Sequence, residues 1–506
     1  MGRRGPTLRR VTPRSLSIPG LAIGVFGLLA LAYLSVPAVD PDYGWHVANG
    51  RHLFDGVLLA GRDVYSWTAP GATWIAHEWL TDGVMAFVHD SLGPTANSVL
   101  AGGLATVALL LTIARLRRRG FGVVVGLVVG VIALLDAGTL VSVRPAAVEV
   151  FFVALLLWLL DEWRAGAVSG RALTLGVLLV MLIWANTHGS FVLGLGILGA
   201  SWLGLVSERD PRGRLVLALG LAGAAMTLAN PFGLRLWDYV ASALSGSRLE
   251  LITEWAPPNL ADRMWWAFAV ALGLAGIAGA RCLARVARRR PGQGRLDDVI
   301  IALALAVAGL LHARHAGVFG IAAAPLIAAG LAWIGARLPP MPRRQVVSRP
   351  ALNTGLLALI AVMTAAVIWA RVGPSNTAAA VRAEYPVDAL EAVNELACPA
   401  PSQLRLVNDY SWGGWLEMTA PDLPVFIDGR SEVYGDEQVQ RYATIFGVRA
   451  GWDVALDATG AQVVLARTQS ALVTALEGRG WTIVHADEVA TLLQRPGVDM
   501  FRTPCR

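Results

Sequence analysis

Long stretches without charged residues recur along the chain as far as about residue 370. A window of roughly 19 residues, about the length of a helix that crosses a bilayer, separates eleven of them. The predicted spans are Ile18–Val36, Thr95–Ala114, Phe121–Ala137, Ala146–Leu160, Leu173–Ala185, Ser190–Val206, Leu215–Leu228, Trp265–Ala284, Val299–Leu311, Ala316–Ala336 and Ala351–Ala370. The pattern predicts a polytopic α-helical membrane protein with about 11 spans, its membrane domain being residues 1–371.

The polarity of the chain changes after the last predicted span. Short apolar runs then alternate with segments of helical periodicity, which is typical of a small α/β domain. We expect residues 372–506 to form this domain. Its predicted strands are Leu404–Val407, Val425–Ile427, Gln462–Ala466, Trp481–Val484 and Ala490–Gln494, and its predicted helices are Pro386–Leu396, Glu437–Phe446 and Ser470–Gly478.

The arginines predict the orientation of the spans. With the N-terminus in the cytoplasm, the predicted inner segments contain 24 arginines, and the outer segments before residue 371 contain 7. Cytoplasmic loops of membrane proteins carry an excess of positive charge. We therefore expect a multi-pass protein of the cell membrane with a cytoplasmic N-terminus and an extracytoplasmic C-terminal domain. The first apolar stretch is interpreted as an uncleaved span; a signal peptide is the alternative.

Composition narrows the class of protein further. Of the 506 residues, 55% are hydrophobic and only 15% are charged, whereas about a quarter are charged in an average soluble domain. This excludes a disordered chain and argues against a soluble enzyme. The net charge of +6 would suggest nucleic-acid binding in a soluble protein. Here the predicted cytoplasmic arginines account for the charge, so we expect no nucleic-acid partner.

The histidines all fall on one predicted side of the membrane. Each lies in a predicted outer segment or at the outer end of a span. They are His46, His52, His77, His89, His188, His312, His315 and His485. A transporter would distribute polar groups through the midplane. The pattern instead indicates binding or chemistry at the outer boundary between membrane and water.

The long first outer loop, residues 37–94, begins with two acids, Asp40 and Asp42. A carboxylate there could act as a general base, or the pair could bind a divalent cation, Mg²⁺ or Mn²⁺. The alternative is that the two acids only end a helix and face water. His46, His77 and Glu78 belong to the same loop, and we expect them to shape it.

Two outer arginines go against the predicted charge bias and are candidates for binding phosphate. They are Arg144 and Arg314, and His188 and His315 are further candidates for the donor site. Arginine is suited to forked recognition of phosphate. The alternative for both arginines is contact with lipid headgroups or a salt bridge.

Two polar and aromatic segments of the C-terminal domain are candidates for binding an acceptor. Asp409 and Trp412 lie in the first of them, and Asp428 and Arg430 in the second. Aromatic rings with acids and amides are suited to sugars. The alternative for Trp412 is that it packs the domain against the membrane loops.

Cys398 and Cys505 are predicted to form a disulfide bond, because both lie on the oxidising side of the membrane.

The layout resembles the GT-C superfamily of membrane glycosyltransferases, which use polyprenyl-phosphate-linked sugars. Residues 408–416 are similar in composition to the W-W-D-Y-G region of the oligosaccharyltransferase catalytic subunit. The chain more closely resembles bacterial multispanning proteins that share the motifs D-x-x-W-H, H-E-W-L, N-x-H-G, N-P-x-G, E-W-x-P-P and F-I-D-G-R. The resemblance implies that Asp42 or Asp40 is the catalytic carboxylate of the first loop, which acts as a base on the acceptor or helps to hold a metal ion. Glu254 is the nearest counterpart of a second acidic site.

These observations predict a glycosyltransferase at the outer face of the membrane. It would transfer a sugar from a polyprenyl-phosphate donor to a lipid, glycan or protein acceptor. The membrane lipid and the donor are then its expected partners, and a divalent cation is the candidate cofactor. The alternatives are a non-catalytic scaffold or sensor of envelope assembly, and a transporter or flippase.

Overall fold

A computed structural model describes residues 16–53, 56–243, 255–288, 295–339, 348–398 and 400–498. The protein is mostly helical, and a small sheet lies near its C-terminus. The helices are α1 (Ile18–Leu34), α2 (Tyr43–Arg51), α3 (Trp79–Leu92), α4 (Pro94–Arg118), α5 (Val123–Ala137), α6 (Ala146–Arg164), α7 (Gly170–Ala185), α8 (Phe191–Ser207), α9 (Gly213–Met226), α10 (Arg235–Ala243), α11 (Trp266–Ala287), α12 (Leu296–Leu311), α13 (Ala316–Ala322), α14 (Ala324–Gly335), α15 (Pro350–Val372), α16 (Pro374–Glu384), α17 (Ala389–Ala397), α18 (Gly413–Thr419), α19 (Ser431–Phe446), α20 (Trp452–Thr459) and α21 (Ala471–Glu477).

Every predicted span coincides with helix, but the helices differ in length. Within the described residues, three are long and apolar enough to cross a membrane: Pro94–Arg118, Arg263–Ala287 and Pro350–Glu384. A bent pair, Ala313–Ala322 with Ala324–Gly335, makes a fourth if it is one span. Several other apolar helices have 17 residues or fewer. The number of spans therefore stays a prediction.

The bend of 65° between α13 and α14 leaves carbonyl groups without their helical partners. Arg115, near the end of α4, donates from Nη1 to the carbonyl of Ala322 over 3.3 Å. Its Nε also lies 2.7 Å from Asp161 Oδ2. The side chain of Arg115 thus supplies a hydrogen-bond donor to a carbonyl group at the break between α13 and α14.

We call the helix ends around Arg115 and Asp161 the arginine-rich end, and the opposite ends, near His188 and His315, the histidine-rich end.

The first loop contains a helix that the sequence did not predict. Residues 43–50 of α2 are all buried, so the helix lacks the polar face by which helices are recognised in a sequence. Apolar residues at positions 80, 84, 87, 88 and 92 have helical spacing, which predicts a helix from Glu78 to Leu92. That helix is present as α3, which begins one residue later. The helices α2 and α3 pack against each other, since an ideal Cβ on Gly50 would lie 2.0 Å from the carbonyl oxygen of Asp82.

The C-terminal sheet has four strands in the order β1-β2-β4-β3. The strands are β1 (Leu406–Asn408), β2 (Val463–Arg467), β3 (Thr482–Ala486) and β4 (Ala490–Gln494). β1 pairs in parallel with β2, and β4 is antiparallel to both of its neighbours. The predicted small α/β unit is therefore confirmed.

One of the five predicted strands, Val425–Ile427, does not join the sheet. Val425 instead forms a single parallel bridge with Ser66 of the first loop. Its backbone accepts from the N–H of Trp67 and donates to the carbonyl of Tyr65, over 3.1 and 2.9 Å. The apolar run does pair as extended backbone, but its partner is more than 350 positions away in the sequence.

The first loop and the C-terminal unit share one hydrophobic core. Trp45 and Trp74 of the loop are buried in the same cluster as Phe426, Ile427 and Val433. The helical run Pro350–Glu384 continues across the predicted domain boundary at residues 371/372. That boundary stays a prediction.

Candidate active site

Asp40 and Asp42 follow α1 and lie beside Arg144, which precedes α6. Arg144 Nε is 3.7 Å from Asp40 Oδ2, and Arg144 Nη1 is 3.6 Å from Asp42 Oδ2. Trp45 donates from Nε1 to Asp42 Oδ1 over 3.1 Å. Burial and then the charge of Asp40 raise the pKa of Asp42 to about 6, although Arg144 acts against this shift. Asp42 therefore titrates close to neutral pH, where a general base is effective.

The backbone of the C-terminal unit lies directly against Asp42. An ideal Cβ on Gly429 would be 2.0 Å from Asp42 Oδ1 and 3.0 Å from Trp45 Nε1. A Cβ on Gly44 would likewise be 2.2 Å from the carbonyl oxygen of Gly414. Only glycine permits these approaches. The glycine of F-I-D-G-R thus brings the second acceptor segment into contact with the candidate base.

Replacing Gly429 by alanine should therefore lower activity more than stability. The added methyl group would displace the Asp42 carboxylate from Trp45, and a misplacement of about 1 Å can cost about a hundredfold in rate. The side chain of Asp42 can rotate away, so the protein should still fold. A sugar-transfer assay and the thermal unfolding midpoint measure the two effects. Gly103→Ala is the matched control, since its Cβ would meet no atom within 4 Å; equal activity of the two variants would contradict this prediction.

His46 connects α2 to α3 through a buried carboxyl group. Its Nδ1 lies 2.6 Å from Asp82 Oδ1, and Asn49 Nδ2 lies 3.4 Å from Asp82 Oδ2. Burial lowers the pKa of His46 to about 3 and raises the pKa of Asp82 well above its usual range. Burial thus favours the uncharged form of both groups, and the contact with Asp82 fixes the imidazole of His46 beside Trp45, with ring centroids 3.5 Å apart.

Glu78 lies among three imidazole rings. Its Oε1 is 3.4 Å from His188 Nε2 and 3.6 Å from His77 Nε2, and its Oε2 is 3.9 Å from His46 Nε2. Burial raises the pKa of Glu78 well above its usual range and lowers the pKa of His188 well below its own. Burial also lowers the pKa of His77 to about 3. Burial therefore favours the uncharged forms of these side chains, which can donate and accept hydrogen bonds to hydroxyl groups.

Hydrogen bonds from α3 hold the His188 turn in place. Trp79 donates from Nε1 to Asn186 Oδ1 over 2.9 Å, and Thr81 Oγ1 donates to the carbonyl of Thr187 over 2.8 Å. Asn186 in turn donates to the carbonyl of Ala229 over 3.0 Å. The motifs H-E-W-L, N-T-H-G and N-P-F-G are thus in mutual contact.

Arg314 and His315 lie in the turn between α12 and α13. The guanidinium carbon of Arg314 lies 4.7 Å from the centre of the Trp255 ring. Arg314 makes no ion pair within the part of the chain that the structure describes. Its charge is close enough to lower the pKa of His77 and of His188 further. The predicted site residue Glu254 lies outside the described residues.

Arg430 and Asp428 belong to a buried ion cluster. Arg430 Nη1 is 3.0 Å from Asp63 Oδ1 of the first loop, and Arg430 Nη2 is 2.6 Å from Asp428 Oδ2 and 3.1 Å from Glu417 Oε1. Burial raises the pKa of Glu417 well above its usual range. Burial alone would raise the pKa of Asp428 as well, but the charge of Arg430 outweighs it and lowers that pKa. Arg430 is only 1% exposed, and its buried ion pairs link the first loop to the C-terminal unit.

Trp412 and Asp409 lie within the C-terminal unit. Trp412 is fully buried and donates from Nε1 to the carbonyl of Glu384 over 2.9 Å. Asp409 Oδ1 accepts from the backbone N–H of Ser411 over 2.9 Å. Their predicted role towards an acceptor is not tested by these contacts, which position the segment before Gly413.

The donor set does not fit a metal ion well. Among the described residues, no group of three or more His, Cys, Asp or Glu side chains is arranged so that it could hold a metal ion. Asp40 and Asp42 offer two carboxylates, but the Arg144 guanidinium already lies within 3.7 Å of both. The positive charge that a cation would supply there is provided by arginine.

Cys398 takes part in a disulfide bond. Its predicted partner, Cys505, lies outside the described residues, so the pairing stays a prediction. Cys282 is a buried free thiol.

Sequence reasoning missed several residues that support the site. Asp82 looks like an ordinary polar position of an amphipathic helix, yet its side chain is fully buried against His46. Asp63 and Glu417 pair with Arg430 across the loop and the C-terminal unit. The one available signal was the density of acids and tryptophans in the first loop.

Comparison with known proteins gives little support for a specific identity. No family model matches the chain, and no curated protein matches it either. One similar solved structure is the crystal structure of ArnT from Cupriavidus metallidurans bound to undecaprenyl phosphate. The similarity covers 94% of this chain and 97% of that chain, with a TM-score of 0.46 and 14% sequence identity. At these values the similarity carries no conclusion about the activity of this chain.

Proposed function

We propose that the protein is a membrane glycosyltransferase that works at the histidine-rich end. It transfers a sugar from a polyprenyl-phosphate donor to a hydroxyl group of a lipid, glycan or protein acceptor. The observation that carries this proposal is the position of Asp42, whose pKa is about 6, next to Arg144. The buried cluster of Glu78 with His46, His77 and His188 supports it. The donor class follows from the resemblance of the first loop to the GT-C superfamily.

Asp42 is the proposed general base. Its Oδ1 accepts from Trp45, while its Oδ2 lies 3.6 Å from Arg144, beyond hydrogen-bond distance. Oδ2 can therefore take the proton of the acceptor hydroxyl as that oxygen attacks the anomeric carbon. The bond from the anomeric carbon to the phosphate oxygen breaks, and its electron pair leaves with the phosphate.

Arg314 is the better candidate for the departing phosphate. Arg144 is within 4 Å of two carboxylates, whereas Arg314 has no acidic partner among the described residues and is held by the Trp255 ring. A guanidinium placed where negative charge develops stabilises the transition state. In this proposal Arg144 mainly adjusts the charge of Asp42, and the imidazoles near Glu78 bind hydroxyl groups.

Deleting the gene and analysing lipid extracts tests the function. We expect polyprenyl-phosphate-linked sugars to accumulate in the deletion strain and to return to the normal level when the wild-type gene is restored. Restoring the Asp42→Asn variant should leave the lipid-linked sugars elevated. An unchanged lipid profile in the deletion strain would reject a glycosyltransferase that uses such a donor.

The rate should rise with pH through about 6, because Asp42 must lose its proton to act as a base. Asp40→Asn should move this midpoint to lower pH, since the negative charge of Asp40 raises the pKa of Asp42. Initial rates across a pH series, for the wild type and for this variant, measure both effects. A midpoint that does not move in Asp40→Asn would contradict the assignment of the titration to Asp42.

Replacing Arg314 by glutamine should weaken transition-state stabilisation by about 2–4 kcal/mol, a 30- to 1,000-fold loss in kcat/KM. Steady-state kinetics with a polyprenyl-phosphate sugar measure the loss. Arg263→Gln, another arginine on the same predicted side, is the control and should retain activity. Equal losses in the two variants would argue against a specific phosphate contact.

A further inference from the structure

A cavity lies at the opposite end of the helix bundle from Asp42. Its volume is about 400 Å³. Four arginines and one carboxylate line it, namely Arg119, Arg281, Arg285, Arg295 and Asp298. The helix α12 runs from Asp298 beside this cavity to Leu311 near Arg314, and a helix of 16 residues is about 24 Å long. The cavity is therefore separate from the proposed active site.

The cavity is a gap between α14 and the C-terminal half of α11, and it adjoins the 65° bend that precedes α14. Pro325 and Leu326, at the start of α14, line the inner part of the gap, and Trp333 lines the part near the end of α14. The cavity thus extends from the interior of the bundle towards its arginine-rich end.

The cluster of charged side chains at and beside the cavity has an excess of positive charge. Asp161 and Asp298 together bind three arginines, Arg115, Arg119 and Arg295. Positive charge therefore exceeds negative charge in this cluster before Arg281 and Arg285 are counted. The nearby Arg164–Asp297 pair, at 2.8 Å, is neutral by itself and leaves the excess unchanged.

Apolar side chains also line the cavity. They are Phe121, Ala278, Leu326, Ala329 and Ala332. Arg281 lies at its edge, with its guanidinium carbon 5.3 Å from the centre of the Trp333 ring. Arg281 is exposed and makes no ion pair with any residue that the structure describes. A cavity lined by arginines and by apolar side chains suits a molecule that has an anionic headgroup and a hydrocarbon chain.

We propose that this cavity binds the phosphate headgroup of an anionic membrane lipid, in the leaflet at the arginine-rich end. The phosphate lies between Arg281 and Arg285, and the first part of an acyl chain lies along α14. Basic recesses between membrane helices are typical sites for anionic lipids. This assignment does not depend on the proposed glycosyltransferase activity.

Native mass spectrometry of the full chain in detergent tests this proposal, with phosphatidylglycerol and phosphatidylcholine of the same acyl chains as probes. We expect one molecule of phosphatidylglycerol to bind per chain, with an affinity at least about fivefold higher than that of phosphatidylcholine. One basic residue near a headgroup contributes about that factor in affinity. Equal binding of the two lipids would overturn the proposal. Inorganic phosphate is the third probe: displacement of the lipid at equal concentration would mean a site for soluble phosphate and would also overturn it.

Two variants locate the site. Arg281→Gln removes a charge and should weaken phosphatidylglycerol binding about fivefold. Ala332→Phe fills the apolar side without changing the charge, and it should weaken the binding of this lipid as well. Arg171→Gln, at the arginine-rich end but outside the cavity, is the matched control and should bind as the wild type does. If both cavity variants retain wild-type affinity, the lipid binds elsewhere and the proposal is wrong.

Discussion

Replacing Asp42 by asparagine is expected to lower turnover by about 10²–10⁴-fold, the usual contribution of a general base. Asparagine has nearly the same shape and can still accept the hydrogen bond from Trp45, but it cannot take a proton from the acceptor. The protein should therefore remain folded in detergent. Transfer of labelled sugar from a polyprenyl-phosphate donor measures the rate, and size-exclusion chromatography checks the fold.

The neighbouring acid provides the control for this experiment. Asp40 accepts from the backbone N–H of Asp42 over 3.0 Å, and Asp40→Asn should retain most of the activity. The opposite pattern, with Asp40→Asn inactive and Asp42→Asn active, would move the base to Asp40. Undiminished activity of both variants would remove the proposed base altogether.

Replacing Arg430 by methionine is expected to destabilise the protein by about 3–5 kcal/mol, the usual cost of leaving a buried charge without its partner. Asp428 and Asp63 would then lie in a dry site with no opposite charge. The contacts between the first loop and the C-terminal unit should loosen as well. Thermal unfolding of the purified protein and limited proteolysis of the first loop measure the two consequences.

Arg441→Met is the matched control for this second experiment. Arg441 forms an exposed ion pair with Glu437 at 2.8 Å on α19, and such pairs contribute only about 0.3–0.5 kcal/mol. Its unfolding midpoint should remain close to that of the wild type. If Arg430→Met unfolds at the same temperature as Arg441→Met, the buried cluster does not join the two parts of the protein.

Much of the helical part could be predicted from the sequence, because an apolar helix in a membrane protein leaves a long uncharged run. Thr95–Ala114 lies within α4, and Ala351–Ala370 lies within α15. Length is less well determined by composition. Asp161 and Glu162 lie buried near the end of α6, where they pair with arginines of α4, so a search for uncharged windows ends this helix too early.

The first loop and the C-terminal unit were harder to predict, because their contacts join distant parts of the chain. The apolar run around Val425 was correctly expected to be extended, but its bridge to Ser66 depends on a loop far away in the sequence. α2 was missed because burial on all sides removes its periodicity.

The candidate site shows the same division. The sequence singled out Asp42, Glu78, His188 and Arg314, because polar groups collect at one predicted face. The structure adds contacts such as that between Glu78 and His188 at 3.4 Å, which no spacing along the chain could supply. Arg430 was expected to guide an acceptor, and only the positions of Asp63 and Glu417 show that it lies in a closed ion cluster.

The common core of Trp45, Trp74 and Phe426 has a consequence for biosynthesis. The ribosome makes the two tryptophans about 350 residues before the phenylalanine that covers them, which takes roughly 20–70 s at typical bacterial elongation rates. During that interval the tryptophan side chains lack the part of their packing that the C-terminal unit supplies, and they are open to chaperones and to proteases. A premature stop codon anywhere before residue 426 should therefore yield a chain that is inserted into the membrane but rapidly degraded.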